Sequence, residues 1–447
     1  MGDSNQHLAH MSAIEAVAGI RAGAFTSEAM VRSCLDRCEA VEETVQAWTF
    51  LDPDYALEQA RKADAAHASA IDLGPLHGVP VGLKDIIDTK DMPTEYGTVL
   101  RAGRRPKEDA TVVSLLRQAG AVIMGKTVST ELAAYHPGKT RNPHDPERTP
   151  GGSSSGSTAA VAAGMVPLSV GTQTNGSVIR PAAYCGVYGL KPTHAAISRR
   201  GVLRQSQFLD HVGVFARCVE DLALLAEPLM AYDAGDADMR PQAARNIVAV
   251  ASQDPPATPI VAFVKTPVWD EASEDTKAAF AELASLLGDS CDEVDLPPPF
   301  ENVVQWHRTV MFADIAKNYA TFYDNGRDQL SDNLRAMIEE GQGVLAVDYN
   351  QAIEWREVLN SGLAEVFRRY DAVLTPAAPS EAPLGLDSTG NPIFSTLWTF
   401  CGTPAVTLPL LRGAAGLPMG VQLVAARGDE GRLLRTARWL VQTVENA

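Results

Sequence analysis

Two glycine–serine turns constrain this chain more than any other feature. One reads Thr149-Pro150-Gly151-Gly152-Ser153-Ser154-Ser155-Gly156-Ser157. The other reads Gly171-Thr172-Gln173-Thr174-Asn175-Gly176-Ser177, and an alanine-rich segment joins them. Glycine lets backbone N–H groups come close to a reacting atom. Serine is a useful nucleophile only beside a base and near donors for an oxyanion. With Lys84 upstream, the pattern points to amide-bond chemistry without histidine.

The bulk properties narrow the field. A chain of 447 residues, 45% hydrophobic and 21% charged, has the make-up of a large globular protein. Its formal charge of −17 disfavours nucleic acid and anionic membrane surfaces as partners. No apolar run is long enough for a membrane span, and the N-terminal stretch lacks the basic and apolar regions of a secretory signal. The six cysteines, Cys34, Cys38, Cys185, Cys218, Cys291 and Cys401, form no C-x-x-C pair and read as reduced thiols in a cytoplasmic protein. No His/Cys/carboxylate group has metal-ligand spacing, so neither a metal nor a cofactor is expected.

Hydrophobic periodicity predicts helices over most of residues 12–72, after a disordered lead-in at 1–11. Strands are expected at Gly78–Lys84, Ala121–Met124, Val166–Val170, Ile260–Val264, Val294–Pro299, Val373–Thr375, Ala405–Leu410 and Val421–Val424. Helices are expected at Thr111–Ala119, from Ala159 to near Gly164, at Glu274–Leu287, through most of 301–370, and at Glu430–Glu445. Residues 142–150 and 229–258 read as loops. The alternation of strand and helix argues for an α/β fold. Strand-like segments recur on both sides of 229–258, so a single domain over 12–447 is expected.

Three chemistries compete for the glycine–serine run. Gly151–Thr158 approaches a phosphate-binding loop, but Ser157 stands where its lysine belongs. Gly152-Ser153-Ser154-Ser155-Gly156 matches a nucleophile elbow, but Arg148-Thr149-Pro150 is not the apolar strand that motif needs. The third is a serine–serine–lysine site. The stretch GGSSSGSTAAVAAGMVPLSVGTQTNGSVIRPAAYCGVYGLKPT resembles the signature of the amidase signature family. GPLHGVPVGLKDIIDT, EDATVVSLLRQAGAVIMGKT, YDAVLTPAAP, CGTPAVTLP and LPMGVQLVAARGDEGRLLRTA extend the resemblance over most of the chain. It is weakest at 229–258 and 300–370, segments expected to shape substrate preference.

The resemblance implies a mixed central sheet covered by helices on both faces. It makes Ser177 the acyl-accepting nucleophile, Ser153 the middle serine on a cis peptide bond, and Lys84 the terminal base. The backbone N–H groups of Thr174, Asn175, Gly176 and Ser177 would form the oxyanion hole. The chemistry requires a neutral lysine, which burial beside Val79, Val81 and Leu83 can provide. On its own Lys84 would read as a solvated strand end.

Two departures from the family stand out. Asn175 replaces a glycine; asparagine tolerates left-handed backbone angles, but its side chain narrows or polarises the pocket. Arg180 falls three residues after Ser177, as in the malonamidase-like branch, where this arginine meets a substrate carboxylate; the other reading is a structural arginine paired with a buried acid. Asp210 reads as support near the site, and Ser154 and Ser155 as holding the turn by hydrogen bonds. Thr130, Tyr135, His136, Trp398, Phe400 and Cys401 are candidates for the pocket wall.

The implied activity is hydrolysis of a C–N acyl bond in a small amide through an acyl-enzyme, with urethane, carbamate or anilide cleavage on equal chemistry. The family also contains the amidotransferase subunit that feeds ammonia to a glutamyl-tRNA ligase, and it contains homodimers; both remain open.

Overall fold

The computed structural model describes residues 8–69, 73–243 and 245–447. Eleven strands form one mixed sheet, in the order β1-β3-β2-β4-β6-β5-β10-β11-β9-β7-β8. In chain order these are β1 (Trp48–Leu51), β2 (Pro80–Lys84), β3 (Val122–Thr127), β4 (Leu168–Gln173), β5 (Tyr188–Lys191), β6 (His211–Ala216), β7 (Val261–Phe263), β8 (Cys291–Glu293), β9 (Ala372–Pro376), β10 (Ala405–Arg412) and β11 (Pro418–Val424). Strand β2 runs parallel to β3 and β4, and β7 parallel to β8 and β9; the other pairs are antiparallel. Every residue of β2, β3, β4, β6, β9 and β11 is buried. Strands covered on both faces read as apolar runs, which is why β2, β3, β4, β9 and β11 were legible in the sequence, whereas β6 was not expected.

Helices cover the sheet on both faces. The first part of the chain carries α1 (Ala13–Arg21), α2 (Ser27–Val45), α3 (Pro53–Ala68), α4 (Thr111–Gln118), α5 (Ser155–Ala162), α6 (Ile179–Cys185), α7 (Val219–Leu229) and α8 (Ile247–Ala251). The second carries α9 (Glu274–Leu287), α10 (Val303–Asn318), α11 (Ala320–Gly326), α12 (Asp332–Gln342), α13 (Ala346–Phe367), α14 (Ile393–Cys401) and α15 (Glu430–Glu445). Side-chain oxygens cap several of them: Ser12, Thr26, Asp52, Ser273 and Ser331 each accept a first-turn N–H. Fully buried Asp221 on α7 accepts the N–H groups of Ala13 and Ile14 at 2.7 and 3.0 Å, which fastens α1 to the body of the protein.

Several expectations are corrected. The helical reading of 12–72 is interrupted by β1, an edge strand antiparallel to β3; Trp48, Thr49 and Phe50 favour a pleated surface, but a four-residue strand between helices leaves no periodic trace. The helix expected from Ala159 starts at Ser155, because the serine turn itself enters the helix. Within the loop expected at 229–258, Ile247–Ala251 form α8, with Ile247 and Ala251 buried. The strand expected at Val294–Pro299 lies earlier, as β8, and Pro298–Asn302 form a 3-10 turn; prolines cannot donate to a ladder. Of the expected lead-in, residues 1–7 lie outside the described residues, while Leu8–His10 form a 3-10 turn with Leu8 and Ala9 buried. All six cysteines are free thiols. No helix among the described residues is long and apolar enough to cross a membrane.

Candidate active site

Lys84 ends β2 at the middle of the sheet and is fully buried. The parallel register of β2 with β4 sets Leu83 beside Val170, which carries Lys84 toward Thr172. Its Nζ donates to Ser153 Oγ at 2.7 Å and to Thr172 Oγ1 at 2.9 Å. No carboxylate among the described residues forms an ion pair with it. Burial therefore holds its pKa well below the usual lysine value, and the field of Asp210 offsets this only in part. A neutral ammonia-like nitrogen facing a serine hydroxyl can accept a proton.

The first turn is built around Ser153. The Gly152–Ser153 peptide is cis, and Ser153 is 2% exposed. A Cβ on Gly152 would lie 2.6 Å from Thr389 Cγ2 and 3.1 Å from Thr130 Cγ2, so only glycine fits there. Ser154 Oγ donates to Thr172 O, Ser155 Oγ donates to Gly151 O, and Thr130 N donates to Ser153 O. The turn is thus fastened to β4 and to the segment after β3.

The second turn leaves β4 and enters α6. Gln173 Oε1 accepts the N–H groups of Val178 and Ile179, serving as the cap that α6 otherwise lacks. Three carbonyls of the turn are taken. His307 Nε2 donates to Thr174 O at 2.9 Å, Thr399 Oγ1 to Asn175 O at 2.5 Å, and Arg180 N to Gly176 O at 2.9 Å. The N–H groups of Thr174, Asn175, Gly176 and Ser177 have no acceptor among the described residues. With carbonyls held back and N–H groups free, the segment can receive a negative oxygen.

Ser177 opens onto a narrow pocket, with Tyr135, Asn175, Arg180, Met311, Met337 and Pro392 among its walls. A neighbouring small cavity reaches Thr172, Asp210 and His211. The two share Ala133, Thr174 and Gln205. Asp210 accepts from Thr174 Oγ1 at 2.7 Å and from the N–H groups of Gln205 and Ser206. Burial pushes its carboxyl up to about 6, although these bonds favour the anion.

Arg180 joins the two turns. Its guanidinium is 1% exposed and donates to Gly152 O at 2.7 Å, Thr389 Oγ1 at 3.0 Å and Gly390 O at 3.1 Å. Pairing with a buried acid, one of the two expectations, is not found: no carboxylate among the described residues meets it, and Nε has no partner. The positive charge is therefore uncompensated beside the Ser177 pocket.

The other expected pocket residues divide. Tyr135 lines the pocket, and its hydroxyl accepts from Asn175 Nδ2 at 3.3 Å. Asn175 Oδ1 accepts from Thr396 Oγ1 at 2.8 Å, so its side chain adds a polar bridge across the pocket. Asn175 is not left-handed, so that tolerance is unused. Thr130 is fully buried and donates to Ala134 O, supporting the wall from behind. Trp398, Phe400 and Cys401 are fully buried and line neither cavity, because α14 turns Thr396 and Thr399 toward Asn175 and the remaining side chains inward.

Sequence reasoning missed Thr172, Gln173, Thr399 and His307. The first two sit inside the quoted glycine turn, where a hydroxyl and an amide amid small residues were a usable signal. His307 lies on α10, in the least legible segment, and carries none.

A family model described as Amidase matches residues 29–434. The chain is 33% identical to a glutamyl-tRNA(Gln) amidotransferase subunit of Chloroflexus aurantiacus, over 96% of this chain and 95% of that protein. A solved chain from a complex described as vestigial, and as revealing the evolutionary origins of an s-triazine catabolic enzyme, superposes with a TM-score of 0.90. It is 30% identical and covers 97% of this chain and 98% of that one. Native peptide amidase from Stenotrophomonas maltophilia gives a TM-score of 0.84 at 27% identity, covering 98% of each chain. Matched over nearly its whole length in sequence and in fold, the protein belongs to the amidase signature family and is an enzyme acting on C–N amide bonds.

Proposed function

We propose that the protein hydrolyses small amides that carry a carboxylate, through an acyl-enzyme on Ser177. The observation that carries the mechanism is the fully buried Lys84, 2.7 Å from Ser153 and without an acid partner. Lys84 accepts the proton of Ser153 as Ser153 accepts that of Ser177. The Ser177 oxygen then bonds to the substrate carbonyl carbon, and the carbonyl oxygen, now negative, takes the N–H groups of residues 174–177. The proton returns to the leaving nitrogen as the C–N bond breaks, releasing an amine or ammonia. Water, deprotonated by the same relay, cleaves the ester. The carboxylate preference is supported by Arg180, a buried cation with no acid partner at the pocket.

Amine release from a matched panel tests this, with Ser177→Ala as the blank. The panel holds neutral amides, carboxylate-bearing monoamides, anilides and aryl carbamates. Dominant turnover of monoamides supports the reading. Turnover of anilides or carbamates with monoamides inert overturns the carboxylate preference; carbamates would pass through a carbamoyl-Ser177 that loses carbon dioxide after hydrolysis.

A second reading, as part of an amidotransferase, is favoured by the similarity to the Chloroflexus protein. The formal charge of −17 and the position of Arg180 weigh against it. Co-purification of a partner chain from the native host, with release of glutamate from glutamine, would establish that reading in place of the first.

A further inference from the structure

We infer that Arg356 and Arg427 form a binding site for a small oxyanion at the C-terminal end of α14. Arg356 projects from α13 and is 7% exposed. Its guanidinium has no acceptor among the described residues, and its buried Nε is unpartnered. Buried arginines normally carry an acid or several carbonyls, because an unpaired buried charge is costly.

A second guanidinium faces it. A Cβ placed on Gly402 would lie 2.5 Å from Arg356 Nη2 and 3.5 Å from Arg427 Nη2, so the two nitrogens are no more than about 6 Å apart. Gly402 ends α14 in the left-handed conformation and presents no side chain to this space. Arg427 Nε is held by Cys401 O at 2.8 Å, which fixes the direction of its fork. Two cations at this separation repel unless something negative lies between them.

The surrounding charges do not supply that negative group. Asp236 and Asp238 are committed to Arg199 at 2.6 and 2.5 Å. Glu430 pairs with Arg245. Glu357 pairs with Arg427 Nη1 at 3.3 Å from a side chain 73% exposed, and its field and that of Asp238 offset the desolvation of Arg356 only in part. The Cys401 thiol is pushed up to about 12 by burial and stays neutral. Lys191 adds no anion, and His194, whose Nε2 lies 3.0 Å from Gln207 O and 2.9 Å from Arg199 Nη1, adds none either. Burial and the field of Arg427 together pull Arg356 down to about 10. An oxyanion bridging the two forks would accept charge-assisted bonds from both, and the one-third exposure of Arg427 leaves it a way in. Neither arginine lines the cavities at Ser177.

Thermal unfolding of the full chain, with sodium phosphate raised at fixed ionic strength and sodium acetate as a second arm, tests the site. The expected result is a saturable rise in Tm with phosphate. Response to phosphate alone reads a tetrahedral anion, and response to both reads any oxyanion; either supports the site. Arg356→Met and Arg427→Met should each weaken phosphate binding about 10- to 100-fold, with phosphate-free amide hydrolysis unchanged. If Arg356→Met fails to fold, the partly exposed Arg427→Met carries the comparison. No rise in either arm, or an undiminished rise in the variants that fold, overturns the inference.

Discussion

Burial favours the neutral form of Lys84, the form that the proposed base requires, and that form has a thermodynamic signature. A lysine whose pKa is lower in the folded chain than in the unfolded one stabilises folding only above its unfolded value, near 10.5; that contribution is lost as pH falls. Lys84→Met should therefore abolish amide hydrolysis while gaining stability relative to the wild type as pH falls from 10 to 7. Denaturant unfolding at several pH values reads the trend, and a pH-independent difference would show that Lys84 is not neutralised by burial. His307 gives a second test. Burial lowers it from 6.5 to about 4 while its Nε2–H holds Thr174 O. Its neutral form stabilises the fold above pH 6.5, and that contribution is lost as pH falls toward 4, on the order of 3 kcal/mol. His307→Gln keeps a donor without the titration, and should move the acid-inactivation midpoint to lower pH. At this scale the meeting of Lys84 with Ser153 was legible through the family resemblance, since Lys84 alone reads as a solvated strand end. His307 was not, because an imidazole on a helix acquires meaning only from what packs against it.

Among the elements, α14 matters most to the second turn. Its Thr399 donates to Asn175 O and accepts from Gln173 Nε2 at 2.9 Å, and Gln173 in turn caps α6. Thr399→Val leaves both groups unsatisfied in a buried place. We expect kcat to fall about 5- to 150-fold, as for the loss of about 1–3 kcal/mol of buried hydrogen bonding, with KM nearly unchanged. Steady-state kinetics separates this from a general loss of fold, which circular dichroism would report. Elements with a strong period were readable in advance: α9 and α15 have the expected bounds, Glu274–Leu287 and Glu430–Glu445. β1 and α8 were not, since four or five residues are too few to display a period. For α14, aromatic and apolar residues such as Trp398 and Phe400 suggested a pocket wall, whereas Thr396 and Thr399 make the contacts with Asn175.

The sheet of the whole molecule divides along the chain. Strands β1 to β6 occupy one side of it and β7 to β11 the other, meeting where Gly189, Leu190 and Lys191 pair with Thr407, Val406 and Ala405. The connection between them passes through residues 230–246, which contain no helix or strand among the described residues. Separate expression of residues 1–238 and 239–447 should give two inactive pieces, and co-expression should restore amide hydrolysis; activity in the first piece alone would contradict this. Lys84, Ser153 and Ser177 all belong to the first piece, while Met311, Met337 and Pro392 of the pocket wall, with His307 and Thr399, belong to the second. Inheritance can therefore act on the two pieces at different speeds. A lineage can recombine or rewrite the later half to reach a new substrate while the reactive groups pass down untouched, provided each new version still brings a donor to the carbonyls of Thr174 and Asn175.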